Sequence, residues 1–438
     1  MLARSGCLLI ALACQATVGV AAPRSSTHQG DLKGIVTRGP VAEAARAALA
    51  ACTAPTRPNV QTELGEAAPS GTTSFILDGN RVYADLEFVL PDSSTHRAYA
   101  YVDMGSRTMQ LSAPLYDSLG VGRGMPARFA IGGLTVSVPA SQIERGGRPT
   151  VRPNRPAQLE ATIPAWVLQR YVVVIDYAQQ TLTLGAPGSI VPCGTATPIR
   201  VDTVTGLSVV DATINGTTYP VTIDNGSAYT WFRQDVVRQW LRAHPRWERG
   251  VGAVGAANMM LRGEEPERNG ILVRVPDMRI GGLALAQVGA LGVAGGRGAD
   301  SSLALMDWYS TKNVVPVLGW IGGNVLVQFR LTIDYPHRTM YWLREADPDT
   351  TDLHQIGLTL RTRAGGVYVA AVATKNGRPT VQGVEPGDQL ISAGGHVLTS
   401  GTLGQIFASM HGEPGATREL VLERNGARYT VVATITAF

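Results

Sequence analysis

Short apolar runs separated by glycine-containing turns make up most of residues 71–345. Such runs, bounded by Gly, Asn-Gly and Asp-Gly, are typical of β-strands. Asp78-Gly79 and Asn215-Gly216 are dipeptides that favour two-residue hairpin turns. The pattern therefore predicts a mainly β fold for this part of the chain.

The composition agrees with a globular protein of several domains. The chain has 438 residues, of which 45% are hydrophobic, and this argues against a disordered or coiled-coil protein. A chain of this length is expected to form about three domains. The net charge is only +4 and the arginines are scattered, so nucleic acid is not a predicted partner.

The N-terminal 22 residues have the features of a secretory signal. Arg4 precedes an apolar stretch that ends in the small residues Ala21 and Ala22. Gln15 and Thr17 interrupt this stretch, which favours a signal peptide over a membrane anchor. We therefore expect export to the periplasm or the medium, and no later segment predicts a transmembrane helix.

A lipoprotein is the alternative form of export. Residues 10–14 (Ile-Ala-Leu-Ala-Cys) are similar to a bacterial lipobox, in which Cys14 would carry the lipid anchor. Residues 23–70 then hold an Ala-rich segment with high helix propensity and a proline-rich linker.

Three short sequence patterns occur twice, in the same order, within the β-rich region. The copies are residues 100–106 and 221–227, residues 131–134 and 280–283, and residues 167–177 and 325–335. Repeats in register indicate a duplicated unit. We expect two lobes, residues 71–190 and 200–347, the second enlarged by an insertion within residues 233–263. Two unrelated β-domains are the alternative.

The first repeated pattern ends in Asp-x-Gly-Ser, and this gives the chain its candidate chemistry. Asp103 and Asp224 each follow an apolar strand, so a duplicated fold can bring them together across a pseudo-twofold axis. Two carboxylates at short distance share a proton, so one can activate a water while the other polarises a substrate carbonyl. Two simple turn-forming aspartates are the alternative.

The residues after each aspartate support this interpretation. Gly105 and Gly226 allow the backbone to pass close to the pair, and the hydroxyls of Ser106 and Ser227 are expected to bond the outer carboxylate oxygens. Asp176 and Asp334 form a second duplicated pair, but no glycine follows them, and we expect them to have structural roles.

Residues 71–345 resemble two fused retropepsin-like aspartic protease lobes, a single-chain arrangement like that of the pepsins. The second lobe fits better, with residues 224–227 (Asp-Asn-Gly-Ser), residues 317–319 (Val-Leu-Gly) and a closing strand in residues 329–335. The resemblance implies a catalytic pair at Asp103 and Asp224, and a monomer whose protease unit is pseudo-dimeric.

The chain departs from this family at the residue after each aspartate. The family has Thr or Ser there, and their hydroxyls brace the two turns reciprocally. Asn225 has both a donor and an acceptor, but Met104 has no hydroxyl to donate. In addition, Ala161 aligns with Gly319 in the second lobe.

Residues 354–438 resemble a PDZ domain, which has an α+β fold. Gly357, Leu358, Thr359 and Leu360 are similar to the loop that holds a peptide C-terminus, and residues 383–388 (Gly-Val-Glu-Pro-Gly-Asp) match a PDZ turn. Residues 402–410 would form the helix of the groove. The resemblance implies binding of polypeptide by strand addition.

The cysteines favour a disulfide rather than a metal site. Cys7 and Cys14 lie in the leader, so the mature chain keeps Cys52 and Cys193, which we expect to pair after export. No cluster with metal-ligand spacing occurs in the sequence, and no metal or cofactor is predicted.

The sequence thus predicts an exported aspartic endopeptidase that acts on polypeptides. The alternative is a protease-derived scaffold that binds extended peptides without cutting them. Met104 favours the scaffold, and retention of both Asp-x-Gly-Ser turns favours the enzyme.

Overall fold

The computed structural model describes residues 69–146, 159–258, 267–293, 302–312, 315–363 and 366–438. All of these belong to one compact unit of the chain. The signal segment, Cys14, the Ala-rich segment and Cys52 lie outside the described residues. Within the described ranges, no helix has both the length and the apolar character needed to span a membrane.

The region that the sequence predicts as lobe 1 (residues 71–190) contains much more strand than helix among its described residues. Its described strands are β1 (Ser70–Asp78), β2 (Arg81–Val89), β3 (Thr95–Asp103), β4 (Met109–Leu111), β5 (Ala127–Ile131), β6 (Leu134–Val138), β7 (Ile143–Arg145), β8 (Leu159–Pro164), β9 (Val172–Asp176) and β10 (Thr181–Gly185). Its α-helices are α1 (Ala113–Ser118) and α2 (Ala165–Leu168), and 3-10 turns cover Val121–Arg123 and Ala140–Gln142.

Lobe 2 (residues 200–347) has the same character and more helix. The strands that follow in the chain are β11 (Thr195–Pro198), β12 (Arg200–Val201), β13 (Ser208–Ile214), β14 (Thr217–Ile223), β15 (Thr230–Arg233), β16 (Arg249–Val251), β17 (Ile271–Ile280), β18 (Leu283–Val293), β19 (Gly319–Ile321), β20 (Phe329–Asp334) and β21 (Thr339–Arg344). Its α-helices are α3 (Gln234–Ala243), α4 (Ser302–Lys312) and α5 (Gly323–Leu326).

In the described part of residues 354–438, which we call the C-terminal domain, the strands form one six-stranded and two two-stranded sheets, with one α-helix. Its strands are β22 (His354–Gln355), β23 (Leu358–Arg363), β24 (Gly366–Val372), β25 (Thr374–Lys375), β26 (Arg378–Pro379), β27 (Gln389–Ala393), β28 (His396–Val397), β29 (Thr417–Arg424), β30 (Ala427–Thr434) and β31 (Thr436–Ala437). The helix is α6 (Leu403–Met410). The prediction of a mainly β chain with several sheets is confirmed, and the arrangement is consistent with a pepsin-like pair of β-lobes.

The two lobes repeat the same strand pairing around their Asp-x-Gly turns. In lobe 1, β3 leads to Asp103 and pairs in parallel with β8, and β4, which follows the turn, pairs antiparallel with β8. In lobe 2, β14, β19 and β15 have the same relation around Asp224. Each turn is therefore supported from behind by a strand that comes much later in the chain.

The hairpin turns follow the sequence pattern with one shift. Asn215 and Gly216 are the central residues of the turn between β13 and β14, as predicted. In the first hairpin the central residues are Gly79 and Asn80, because Asp78 itself pairs with Arg81. The centre of that turn therefore lies one residue later in the chain than the predicted Asp78-Gly79.

A six-strand region of one sheet joins the lobes, in the order β11-β21-β20-β9-β10-β1. Its centre is the antiparallel pair β20 and β9, in which Thr332 faces Val174. Both strands end in the second duplicated aspartate. Asp176 Oδ1 accepts the Gln179 N–H at 2.7 Å and Asp334 Oδ1 accepts the His337 N–H at 3.1 Å. Asp176 and Asp334 therefore fix turns, which is the structural role expected of them.

Glu345 makes the stability of the folded chain depend on pH. It follows β21 at the inter-lobe sheet, where burial, with a further contribution from the nearby Asp176 carboxylate, raises its pKa to about 7. Ionised Glu345 disfavours the folded state, so the free energy of unfolding should fall as pH rises from the ordinary carboxyl range through about 7. We expect a loss of about 1–2 kcal/mol, allowing for solvent screening at this half-buried group.

Chemical denaturation across this pH range measures the effect. Glu345→Gln cannot ionise and should remove this part of the pH dependence. The same slope in both proteins would show that another group is responsible.

Candidate active site

Asp103 and Asp224 are held by their own turns in the same way. The Gly105 N–H donates to Asp103 Oδ1 at 3.1 Å, and the Gly226 N–H donates to Asp224 Oδ1 at 2.8 Å. The N–H of the following serine closes each turn onto the carbonyl oxygen of the aspartate. Both carboxylates are thus fixed by backbone donors rather than left to rotate.

The two turns face each other across the lobes. A Cβ atom built on Gly105 would lie 2.6 Å from Asp224 Cγ, and one built on Gly226 would overlap Asp103 Oδ1. Real Cβ atoms essentially never approach closer than 3.0 Å. Each glycine therefore lies directly against the carboxylate of the opposite lobe, and only glycine permits this approach.

The two aspartates differ in their exposure. Asp224 is 5% exposed, whereas Asp103 is half-buried. Tyr177 lies fully buried near Asp224, and burial, with a further contribution from the Asp224 charge, raises the pKa of its hydroxyl. Lobe 2 thus contributes the more enclosed carboxylate of the pair.

Asn225 supplies half of the reciprocal bracing that hydroxyls give in the resembled family. Its Oδ1 accepts the Met104 N–H at 2.9 Å, across the lobe interface. Asn225 is fully buried, and its Nδ2 has no hydrogen-bond partner among the described residues. The main chain at Met104 therefore takes part in the brace although its side chain has no hydroxyl.

Tyrosine hydroxyls provide the remaining bracing. Tyr309, on α4 of lobe 2, donates to the Gly105 carbonyl at 2.6 Å, and Tyr101, on β3 of lobe 1, donates to the Gly226 carbonyl. Tyr335 also reaches the first turn, with its hydroxyl 3.8 Å from Met104 Sδ. Each Asp-x-Gly turn is therefore held by a tyrosine of the opposite lobe.

The sequence interpretation missed these tyrosines. The one available signal concerned Tyr335, which occupies the same position as Tyr177 in the repeated closing strands. Tyr309 lies 204 residues from Gly105, in α4 of lobe 2, outside the three repeated sequence patterns.

Ser106 and Ser227 do not bond the carboxylates as predicted. The Ser106 hydroxyl donates to the Thr108 carbonyl at 3.1 Å, and the Ser227 hydroxyl donates to the Tyr229 carbonyl at 2.7 Å. A hydroxyl has one proton to donate, and both serines use it to stabilise the turn. Their role is structural and is the same in both lobes.

The remaining predicted residues lie away from the aspartates. Gly357, Leu358, Thr359 and Leu360 come together at the start of β23 and are all buried. Cys193 is disulfide-bonded, and because Cys52 lies outside the described residues the pairing stays a prediction.

Comparisons with known proteins leave the function open. No family model and no curated protein matches the chain. Among solved structures, an aspartic proteinase from Irpex lacteus is similar at 12% identity and TM-score 0.36, covering 62% of this chain and 96% of that one. A photosystem II D1 C-terminal processing protease is similar at 22% identity and TM-score 0.16, covering 19% of this chain and 23% of that one. The chain thus spans about a quarter of the latter protein.

Tyr309→Phe tests whether the tyrosine brace stabilises the fold. The change leaves the buried Gly105 carbonyl without this donor, so we expect a loss of about 1–3 kcal/mol in the free energy of unfolding. Tyr341→Phe is the matched control, because the Tyr341 hydroxyl has no hydrogen-bond partner among the described residues. Denaturant unfolding measures both, and equal losses would mean that the Tyr309 bond contributes nothing specific.

Proposed function

We propose that the chain is a single-chain aspartic endopeptidase in which Asp103 and Asp224 form the catalytic pair. The observation that carries this proposal is the reciprocal packing of Gly105 against Asp224 and of Gly226 against Asp103. Such packing requires the two turns to approach face to face. Two turn-forming aspartates on separate lobes would have no reason to do so.

The chemistry follows from the closeness of two acidic groups. When two carboxyl groups lie together, ionisation of both is unfavourable, so the pair holds one proton. The ionised member then takes a proton from a bound water, and the protonated member donates a hydrogen bond to the scissile carbonyl. The water oxygen forms a bond to the carbonyl carbon as its proton leaves, which gives a tetrahedral intermediate. The C–N bond of this intermediate breaks when a proton is returned to the nitrogen, and a carboxyl group and an amine are released.

The turns and the tyrosine brace would keep this pair in position. The Gly105 and Gly226 N–H groups orient one oxygen of each carboxylate. The bonds from Tyr101 and Tyr309 limit movement of one turn against the other. Positioning within a fraction of an ångström is what such catalysis requires.

The substrate class we propose is extended polypeptide in an exported compartment. The signal-like leader supports export, and the PDZ-like sequence of residues 354–438 supports a polypeptide partner. A scaffold that binds peptides without cutting them has the same architecture, so only an activity measurement separates the two functions.

Asp103→Asn and Asp224→Asn should each abolish cleavage of unfolded polypeptide at acidic pH. Asparagine cannot hold or release the shared proton, so we expect losses on the order of 10³-fold or more in kcat. Asp176→Asn and Asp334→Asn are the matched controls, because these duplicated aspartates fix turns of the inter-lobe sheet. The controls should retain activity within a few fold.

An acid-to-neutral pH series on a denatured protein substrate, with and without pepstatin, is the assay. Cleavage that persists in Asp224→Asn would remove the pair from the mechanism. A folded wild-type chain that never cleaves would favour the scaffold.

Gly226→Ala should also abolish activity without replacing an acidic group. The added methyl group would overlap Asp103 Oδ1 and push the two turns apart. Gly122→Ala is the control, because Gly122, like Gly226, has no positive φ, and a Cβ built there meets only Tyr116 Cε1, at an ordinary contact distance of 3.4 Å. We expect a loss of at least about 10²-fold for the first variant and little change for the second. Equal activities would show that the turns do not need this close approach.

A further inference from the structure

In the PDZ-like interpretation of the C-terminal domain, the peptide groove runs between β23 and α6. β23 is at the edge of its sheet, where it pairs only with β24 among the described strands. Helix α6 begins after Thr402, whose hydroxyl caps the Gln405 N–H. An edge strand beside a helix is the site at which an extended peptide adds to a PDZ domain.

A segment of lobe 2 lies across this groove. A Cβ built on Gly255 would overlap the carbonyl oxygen of Leu358, at the start of β23, and would lie 3.1 Å from its carbonyl carbon. The next three residues of the segment line one small cavity together with Leu403 and Phe407 of α6. Residues 254–258, which we call the groove segment, therefore reach from β23 to α6.

The side chains of the groove segment are packed against the C-terminal domain and shielded from solvent. Val254, Ala256 and Ala257 are 1%, 1% and 4% exposed and belong to an apolar cluster with Ala373 and Phe438 of the C-terminal domain. The Phe438 ring lies against Gly357, so a Cβ there would be 2.9 Å from Phe438 Cζ. The residues predicted to hold a peptide end are covered by the chain itself.

Hydrogen bonds hold the groove segment in place. The Ala257 N–H donates to Glu267 Oε1 at 3.0 Å, and Glu267 is 1% exposed. Next to it, Arg268 Nη2 donates to the Ala370 carbonyl of β24 at 3.1 Å. The groove segment is thus tied to its own lobe at Ala257, and the same part of lobe 2 is bonded to β24, the neighbour of β23.

The same region touches the turn that carries Asp224. Ala228 and Tyr229, which directly follow that turn, line the cavity shared by the groove segment and α6. On the lobe 1 side, Asn80 Nδ2 donates to the Ala228 carbonyl at 3.3 Å, and Asp78 Oδ1 accepts the Gly404 N–H of α6 at 2.8 Å. The occupied groove therefore borders the proposed catalytic turn.

We propose that residues 254–258 act as an internal ligand that keeps the groove closed, and that an extended polypeptide enters only by displacing them. Because the segment belongs to the same chain as the groove, its effective concentration at the groove is high. An external peptide therefore competes at a disadvantage. Displacement of the segment would change the packing behind the Asp224 turn. Only the effect of that change on catalysis rests on the proposed function.

A binding experiment on the full chain tests this proposal. The probe is a fluorescein-labelled synthetic peptide with the sequence of residues 250–258 and a free C-terminal carboxylate. All proteins carry Asp103→Asn, so that the probe is not consumed. Gly255→Ala adds a methyl group that would overlap the Leu358 carbonyl, and we expect it to tighten probe binding at least tenfold. Gly216→Ala is the matched control, because both glycines have positive φ, 91° and 76°, but only Gly255 meets a neighbour.

Hydrogen exchange keeps the test valid if Gly255→Ala folds poorly. Saturating probe added to the chain with residue 255 unchanged should speed exchange of the Ala257 amide and leave lobe 1 amides unaffected. Equal probe affinity in the Gly255→Ala and Gly216→Ala chains, no binding to any chain, or no change in Ala257 exchange would each overturn the proposal. Because none of these readouts needs cleavage, their failure is distinct from a failure of the proposed function.

Discussion

This structure depends on the close approach of two turns at Gly105 and Gly226, where there is no room for a side chain. Gly105 and Gly226 each lie against the aspartate of the opposite lobe, so the two lobes must meet at these two turns. The inter-lobe sheet sets that meeting, because its central strands β9 and β20 pair antiparallel about Val174 and Thr332. A shift of register there would move one turn away from the other.

The bracing of the turns shows how one interaction can be replaced by others. Where the resembled family has two hydroxyls, this chain has Met104 and Asn225, and one amide oxygen accepts one backbone N–H. Tyr101 and Tyr309 then bind the two glycine carbonyls from opposite sides. The donors differ, but each turn still receives a hydrogen bond from the other lobe.

Much of the fold and part of the site could be predicted from the sequence. The β-strands, the repeated turns and the positions of Asp103 and Asp224 follow from local patterns and their duplication. The tyrosine brace could not be predicted, because α4 carries Tyr309 to Gly105 through tertiary packing alone. The groove segment was equally hidden, since Val254, Gly255 and Ala256 have no pattern that indicates a ligand. The hydroxyls of Ser106 and Ser227 were expected to bond the carboxylates, but each donates instead to a backbone carbonyl two residues later in the chain.

The most direct test of the central claim is a titration of the Asp103 carboxyl group by carbon-13 NMR, in the wild-type chain and in Asp224→Asn. If the two groups share a proton, removal of the Asp224 charge should move the midpoint of the Asp103 titration by at least one pH unit. An Asp103 titration that is unchanged by Asp224→Asn would contradict the account, because the two carboxyl groups would then be independent.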